Sequence, residues 1–152
     1  MFFWVLWFLL VLCLVVKSAI ADELNISSNK MEAFDSEGLA VFTGDVVATK
    51  PGFKLTCDKM YVYYYTDPAG KKKVKKIVAL GGVVIRTPEW KAYADKAVYF
   101  KKEEKLILEN DAKVWYGKNL IEGDKVIVYF NQDKSEVFAE NQGRVKAQFL
   151  LK

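Results

Sequence analysis

The hydrophobic residues of this chain alternate with polar ones at a period of two, which indicates β-strands rather than helices. The clearest stretch is residues 81–99, where two alternating runs are separated by a short turn at Thr87, Pro88 and Glu89. Val, Ile, Tyr, Phe and Trp are dense in such runs, as is typical of pleated, half-buried surfaces. Beyond the first 21 residues no stretch shows a convincing helical period. The pattern therefore predicts an all-β protein.

The alternating unit recurs, with an Asp-Lys step at the same place in each copy. When the copies are aligned without gaps on Asp58, Asp95 and Asp124, small or apolar residues stand one and three positions before the aspartate and two and four positions after it. Partial copies open and close the region, around Asn29 and at residues 143–149. Internal similarity at roughly thirty to forty residues indicates a repeat architecture.

The alternation changes phase at every Asp-Lys step, and this has a structural meaning. A strand changes phase in this way only through an extra residue, as in a bulge or a corner. If one face of the sheet is to stay buried, the strand has to bend there. A strand that bends after about four residues can serve two sheets, as in sandwiches and jelly rolls. We expect such bent strands to form a single antiparallel domain over residues 22–152.

Residues 1–21 have the features of an export signal. An unbroken apolar run at residues 2–16 suits a signal peptide and is short for a membrane span, and Ala19 and Ala21 form a fitting cleavage site. No Lys or Arg precedes the run, so an uncleaved anchor is the alternative. In either case we expect the domain to lie beyond the cytoplasmic membrane.

The composition argues against an enzyme and against a nucleic-acid binder. The 152 residues carry 23 basic and 19 acidic side chains, a net charge of +4, and no histidine, the usual general base and metal ligand. No nucleophile or nucleotide-binding motif is present, and Asn29 in place of a repeat aspartate indicates that these positions serve a turn. Cys57 is expected to be a buried structural thiol. No cofactor and no metal is predicted.

Several strands are apolar on both faces, with Tyr61, Val98 and Ile127 on the face opposite to the inward set. One interpretation is a well-filled core. The other is a cleft between two sheets that holds a lipid, because small residues such as Ala94 and Gly123 beside the bends would leave room. The basic run at residues 71–76 is either a solvated hairpin arm or a contact for anionic groups. Partial repeats at both ends leave open sheet edges, suited to pairing with another chain.

Residues 40–47, 55–60 and 92–97 resemble the OstA-like (LptA) family of periplasmic lipopolysaccharide-transport proteins. The resemblance implies a twisted, V-shaped antiparallel β-jellyroll that holds lipid A acyl chains in a hydrophobic groove. It also implies head-to-tail self-association, and edge-strand pairing with an LptC-like inner-membrane partner and the outer-membrane translocon, in a bridge between the membranes. The groove positions carried over by the motif and its repeats are Leu24, Ile26, Met31, Phe42, Val46, Ala48, Leu55, Met60, Val62, Val83, Ile85, Ala97, Tyr99, Val114, Ile121, Val126, Val128 and Val145.

Two alternatives to a soluble periplasmic bridge protein stay open at this point. One is a membrane-anchored, LptC-like component of the same pathway, which shares the fold and keeps its N-terminal span. The other is a structural β-repeat protein with a dry core and no ligand.

Overall fold

The computed structural model describes residues 23–141 and 143–151, where the regular elements are β-strands and one 3₁₀ turn at Asp35–Glu37. The strands in chain order are β1 (Asn25–Ser27), β2 (Lys30–Phe34), β3 (Leu39–Lys50), β4 (Phe53–Thr66), β5 (Lys72–Arg86), β6 (Lys91–Phe100), β7 (Lys105–Tyr116), β8 (Asn119–Tyr129), β9 (Lys134–Phe138) and β10 (Lys146–Gln148). The described part of the chain contains no helix long and apolar enough to cross a membrane. The proposed export segment at residues 1–21 lies outside the described residues.

The ten strands form one antiparallel sheet in which β3 to β8 follow one another as a meander. At one edge both β1 and β2 pair with β3, and at the other both β9 and β10 pair with β8. At each edge, therefore, two short strands pair with different halves of the same long strand. The predicted antiparallel all-β domain is confirmed.

The long strands bend at bulges near their middles. In β3, β5 and β7 two consecutive residues have positive φ, and the neighbouring even-numbered strands place a single residue, Asp58, Asp95 or Asp124, across from them. The left-handed pairs are Gly44 and Asp45, Gly81 and Gly82, and Asn110 and Asp111. Two residues opposite one is the arrangement of a β-bulge, which bends the strand. The phase change predicted at the Asp-Lys steps is confirmed, and the extra residue lies in the adjacent odd-numbered strand.

The bulges divide the sheet into two parts, here called leg A and leg B. Leg A contains β2, β9 and residues 39–43, 59–66, 72–80, 96–100, 105–109 and 125–129, and leg B contains β1, β10 and residues 46–50, 53–57, 83–86, 91–94, 112–116 and 119–123. One hydrophobic core draws on both legs, and Leu108 of leg A and Ile85 of leg B have no exposed surface. Because a single flat sheet leaves both faces open, such burial requires the legs to fold over each other. This agrees with the V-shaped β-jellyroll that the family resemblance implies.

Candidate functional site

The face of the sheet that lines the space between the legs, here called the inner face, is apolar in all six long strands. On leg A the inward residues form two cross-strand rows: Ala40, Val62, Ile77, Tyr99, Leu106 and Val128, then Phe42, Met60, Ala79, Ala97, Leu108 and Val126. On leg B the outer row is Ala48, Leu55, Ile85, Ala92, Val114 and Ile121. Beside the bulges lie Val46, Cys57, Val83, Ala94, Ala112 and Gly123. No polar or charged side chain is buried among the described residues.

Burial of the inner face is most complete near the bulges and lower at the sheet edges, and in the leg A row farthest from the bulges Ile77 and Tyr99 are also partly exposed. Val83, Ala92 and Leu108 have no exposed surface, whereas Ile26 and Val128 near the two edges are partly exposed. The inner face is therefore covered where the legs meet and open at both ends. A molecule that enters between the legs would reach the edge positions first.

Sixteen of the eighteen predicted groove residues lie on the inner face or continue it onto the edge strands. Ile26 lies opposite Ala48 and extends the leg B row onto β1, and Met31 lies opposite Phe42 and extends a leg A row onto β2. Leu24 and Val145 lie outside the strands and are 38% and 43% exposed. The structure does not bring these two residues into the core.

The sequence prediction omitted five inward residues of leg A, namely Ala40, Ile77, Ala79, Leu106 and Leu108. Four of them precede the bulges of β5 and β7, at even-numbered spacings from Val83 and Ala112, because two extra residues leave the alternation of the odd-numbered strands unshifted. The signal that could have identified them was this continued alternation, from Ile77 to Ile85 and from Leu106 to Val114.

The small residues beside the bulges pack against neighbours in this structure. Ala92 and Ala94 have no exposed surface, and a Cβ placed on Gly123 would come within 2.6 Å of the Val137 side chain on β9. These side chains face inward, as predicted. The burial and the close contact show that these positions beside the bends are filled, so a ligand there would have to displace neighbouring side chains.

Cys57 is the buried thiol that the sequence predicted. Its Sγ donates a hydrogen bond to the carbonyl of Lys59 at 3.4 Å, and burial raises the pKa of the Cys57 thiol to about 11. A neutral thiol behaves as a small hydrophobic group. It therefore fits the apolar lining without adding a reactive centre.

The basic run at residues 71–76 lies on the long β4–β5 hairpin and is partly neutralised within the protein. Lys72 pairs with Asp35 at 3.1 Å, and Lys73 pairs with Asp67 at 3.5 Å. These contacts support the interpretation as a solvated hairpin arm. The described residues contain no cluster of His, Cys, Asp and Glu that could hold a metal ion.

Both edges of the sheet carry exposed apolar side chains. Met31 and Phe34 of β2 are 58% and 41% exposed, and Phe149 and Leu150, which follow β10, are 59% and 64% exposed. Exposed edge strands present unpaired backbone groups that can add a strand from another chain. The apolar inner face thus continues to two edges that are open to partners.

Comparison with known proteins places this geometry in a family. Residues 25–134 match the profile of the family described as LptA/(LptD N-terminal domain) LPS transport protein. The lipopolysaccharide export system protein LptH of Pseudomonas aeruginosa is 28% identical over 121 residues, which cover 76% of this chain and 68% of LptH. The crystal structure of LptH, titled the LptA-homologous periplasmic component of the lipopolysaccharide transport device of that organism, superposes with a TM-score of 0.74 at 21% identity. It covers 85% of this chain and 96% of the LptH chain. The chain belongs to the LptA/LptD N-terminal domain family of lipopolysaccharide transport proteins.

Proposed function

We propose that this protein carries lipopolysaccharide through the periplasm by holding its acyl chains between legs A and B. The observation that supports this most directly is the unbroken apolar lining of the inner face across β3 to β8. Each methylene buried against such a surface contributes about 0.8 kcal/mol, so a single acyl chain gains enough to offset a local separation of the legs. The protein itself performs no chemical step in this proposal.

Acyl chains enter at an edge, where the inner face is already partly exposed. At one edge Ile26 and Met31 face the entrance, with Leu24 beside them, and at the other Ile121 and Val128 do so, with Val145 near β10. The centre of the inner face opens only as a chain advances, because its side chains are covered when the legs are in contact.

The two edges join the protein to its neighbours in the proposed bridge. Strands β1 and β2 of one copy pair with β9 and β10 of the next, which continues the sheet and its apolar inner face from one copy to another. The end copies pair in the same way with an LptC-like partner in the inner membrane and with the translocon of the outer membrane. Residues 1–21 direct export and are removed, so N-terminal sequencing of the exported protein is expected to begin at Asp22.

A photocrosslinking amino acid on β8 tests acyl-chain binding. Val128 faces inward and Ile127, the adjacent residue, faces outward, and both are partly exposed. We expect the probe at position 128 to capture lipopolysaccharide and the probe at position 127 to capture little. Equal capture at the two positions, or none at position 128, would contradict the proposal and favour a β-repeat protein without ligand.

Native mass spectrometry over a range of protein concentrations tests the edge pairing. Met31→Asp places a charge where the inner face reaches the exposed edge strand β2, and we expect it to reduce the population of dimers and longer assemblies. Tyr65→Asp is the matched control, because Tyr65 is 50% exposed on the β4–β5 hairpin away from both edges. Assemblies that respond equally to both substitutions would argue against the edges as the contact.

A further inference from the structure

Three cationic side chains lie side by side on the outer face of leg B, the face that points away from the other leg. Lys54 is directly opposite Arg86 in the sheet, and Arg86 is directly opposite Lys91. All three are exposed, and none forms an ion pair with another described residue. Like charges directly opposite each other in a sheet are destabilising. Such a local conflict is expected where the sequence serves binding rather than stability.

The neighbouring positions on this face do little to neutralise the row. The adjacent cross-strand row contains Thr56, Val84, Tyr93 and Lys113. The nearby acidic residues include Glu89, exposed in the turn before Lys91, and Asp95, which accepts a hydrogen bond from the Tyr93 hydroxyl at 3.2 Å. Two others lie at Lys113: Asp111 at 4.0 Å from it and Glu122 opposite it in the sheet. No carboxylate lies between the three cations in the row.

A shallow cleft, open to solvent, lies beside the cationic row. A cavity of about 460 Å³ is lined by residues that include Arg86, Thr87, Trp90, Lys91 and Trp115, and an adjoining cavity of about 270 Å³ shares Lys91 and Trp115 with it. No acidic side chain lines either cavity. The cleft therefore combines positive charge with the indole ring of Trp115 and with the turn that carries Trp90.

The two indole rings are held by the protein before any ligand arrives. The Thr87 backbone N–H donates to the Trp90 carbonyl at 2.9 Å, and the Trp90 N–H donates to the Thr87 hydroxyl at 3.1 Å, which closes the turn. The Trp90 side chain packs against the hydrophobic core, and the Lys91 ammonium lies 5.6 Å from the ring centroid of Trp115. Ordered aromatic rings lose little conformational freedom on binding.

We propose that this outer cleft binds a phosphorylated saccharide. Arg86 and Lys91 would donate charge-assisted hydrogen bonds to the phosphate, while Trp115 packs against the apolar C–H face of the sugar ring and Trp90 anchors the turn beside it. A short row of three cations suits one phosphate group, whereas single-stranded nucleic acid needs a longer basic groove that follows its backbone. The choice of a saccharide rests on the proposed lipopolysaccharide function, and the anion site rests on the outer face alone.

Tryptophan fluorescence tests this site directly. The sequence has four tryptophans, of which Trp4 and Trp7 lie at the N-terminus and the other two line the cleft. In the exported protein, or in the full chain carrying Trp4→Phe and Trp7→Phe, Trp90 and Trp115 are the remaining tryptophans, so the fluorescence change on titration reports the cleft. The probe is deacylated lipopolysaccharide, which keeps the phosphosaccharide and lacks the acyl chains. We expect a saturable change, and at least tenfold weaker binding after phosphatase treatment of the probe.

The variant that tests the cations is Arg86→Gln with Lys91→Gln. We expect it to bind the probe at least tenfold more weakly and to be about as stable as the parent, because the relief of like-charge repulsion offsets the loss of the Lys91–Trp115 contact. Lys101→Gln with Lys102→Gln, at an exposed turn of leg A, is the control and should bind as the parent does.

Four results would overturn the proposal: no saturable change, equal binding of the dephosphorylated probe, inorganic phosphate binding as tightly as the phosphosaccharide, or a single-stranded RNA oligonucleotide binding more tightly. Because the probe has no acyl chains, failure here leaves the crosslinking test at Val128 unaffected. Failure of the crosslinking test would in turn leave this titration valid.

Discussion

The side chain of Asp58 in β4 lies against the backbone of Gly81 in β5, so that a Cβ placed on Gly81 would stand 2.9 Å from the Cβ of Asp58. Asn29 lies against Gly44 in the same way, with its Cβ 3.1 Å from the position that a Cβ on Gly44 would take. The aspartate or asparagine of one copy thus occupies the space that the bulge of the next strand leaves open. This contact explains why an amide can stand where the other copies have an acid.

Gly81→Ala is expected to destabilise the protein strongly. Gly81 has a φ of 83° and Asp58 fills the space beside it, so Ala would meet both backbone strain and a clash. We expect the free energy of unfolding to fall by about 2–4 kcal/mol, combining about 1–2 for the left-handed backbone with the cost of overpacking. Chemical denaturation of the two proteins measures the difference.

Gly82→Ala is the matched control for that substitution. Gly82 also has a positive φ, 54°, but a Cβ there would meet nothing within 4 Å. Its cost should be backbone strain alone, about 1–2 kcal/mol. Equal losses for Gly81→Ala and Gly82→Ala would show that the contact with Asp58 does not determine the shape of the kink.

Much of the fold could be predicted from the sequence because one face of each strand is buried, and this requires apolar residues at every second position. The phase change around Asp58, Asp95 and Asp124 located the bends. In the even-numbered strands, the inward residues before and after each aspartate have to face the same core. The prediction did not identify which strand holds the extra residue. That residue is defined only by pairing with the neighbouring strand, and a repeat aligned on one strand at a time does not contain this information.

The candidate site, like the fold, could be predicted from the sequence only in part. Inward positions near the aspartates followed from the repeat alignment, whereas Ile77 and Leu106 lie in the preceding strands, outside the aligned segments, although the alternation continues through them. Lys54, Arg86 and Lys91 are far apart in the sequence, and only the register of three strands brings them together. Leu24 and Val145 were assigned by analogy with complete copies, but the half copies at the ends lack the second strand that would bury them.

Cys57 is expected to resist alkylation in the folded protein. Burial raises the pKa of its thiol to about 11, so the reactive thiolate is about a hundredfold scarcer at pH 8 than for a thiol with the ordinary value of 9.0. In a Cys13→Ser background, iodoacetamide should modify Cys57 at least a hundredfold more slowly than a cysteine introduced at the exposed Ser27 with Cys57 replaced by Ala. Mass spectrometry follows the reaction. If Cys57 reacts as fast as the exposed cysteine at position 27 in the folded protein, or if unfolding in urea does not speed the reaction of Cys57, the burial of this thiol is contradicted.

Asp35 is expected to link stability to acidic pH. Its carboxylate accepts hydrogen bonds from the Tyr64 hydroxyl at 2.6 Å and the Lys72 ammonium at 3.1 Å, and these contacts lower the pKa of Asp35, with Tyr64 the larger cause. A lowered pKa in the folded state means that the stabilisation is present above the ordinary value of 3.8 and is lost as the pH falls through the lower folded value.

Asp35→Asn should therefore be less stable than the parent at pH 7, and the difference should shrink when both proteins are unfolded below about pH 3. Glu37→Gln lies in the same 3₁₀ turn, where Glu37 makes no side-chain hydrogen bond or ion pair with another described residue, and should change stability little at either pH. A difference between parent and Asp35→Asn that stays constant with pH would show that the carboxylate charge is not the cause.

Lys76 is expected to stabilise the outer face of leg A through its aromatic neighbours. Its ammonium lies 5.0 Å from the ring centroid of Tyr63 and 5.8 Å from that of Phe100, the residues directly opposite it in β4 and β6. The next row of this face is apolar, and its central residue Val98 is only 8% exposed although it points away from the core between the legs. The lysine stems and aromatic rings therefore cover an apolar surface that the other leg does not reach.

Lys76→Ala should lower the free energy of unfolding by about 1–2 kcal/mol, from two cation–π contacts of about 0.5–1 kcal/mol each and the lost cover over the apolar row. Lys76→Met keeps most of the aliphatic stem and loses the charge, so its free energy of unfolding should lie between those of Lys76→Ala and the parent. The difference between Lys76→Met and the parent measures the contribution of the cation–π contacts. Lys75→Ala, at the exposed neighbouring position, should change stability by less than about 0.5 kcal/mol. If Lys75→Ala costs as much as Lys76→Ala in chemical denaturation, the effect is one of net charge along the hairpin, and the aromatic neighbours of Lys76 do not account for it.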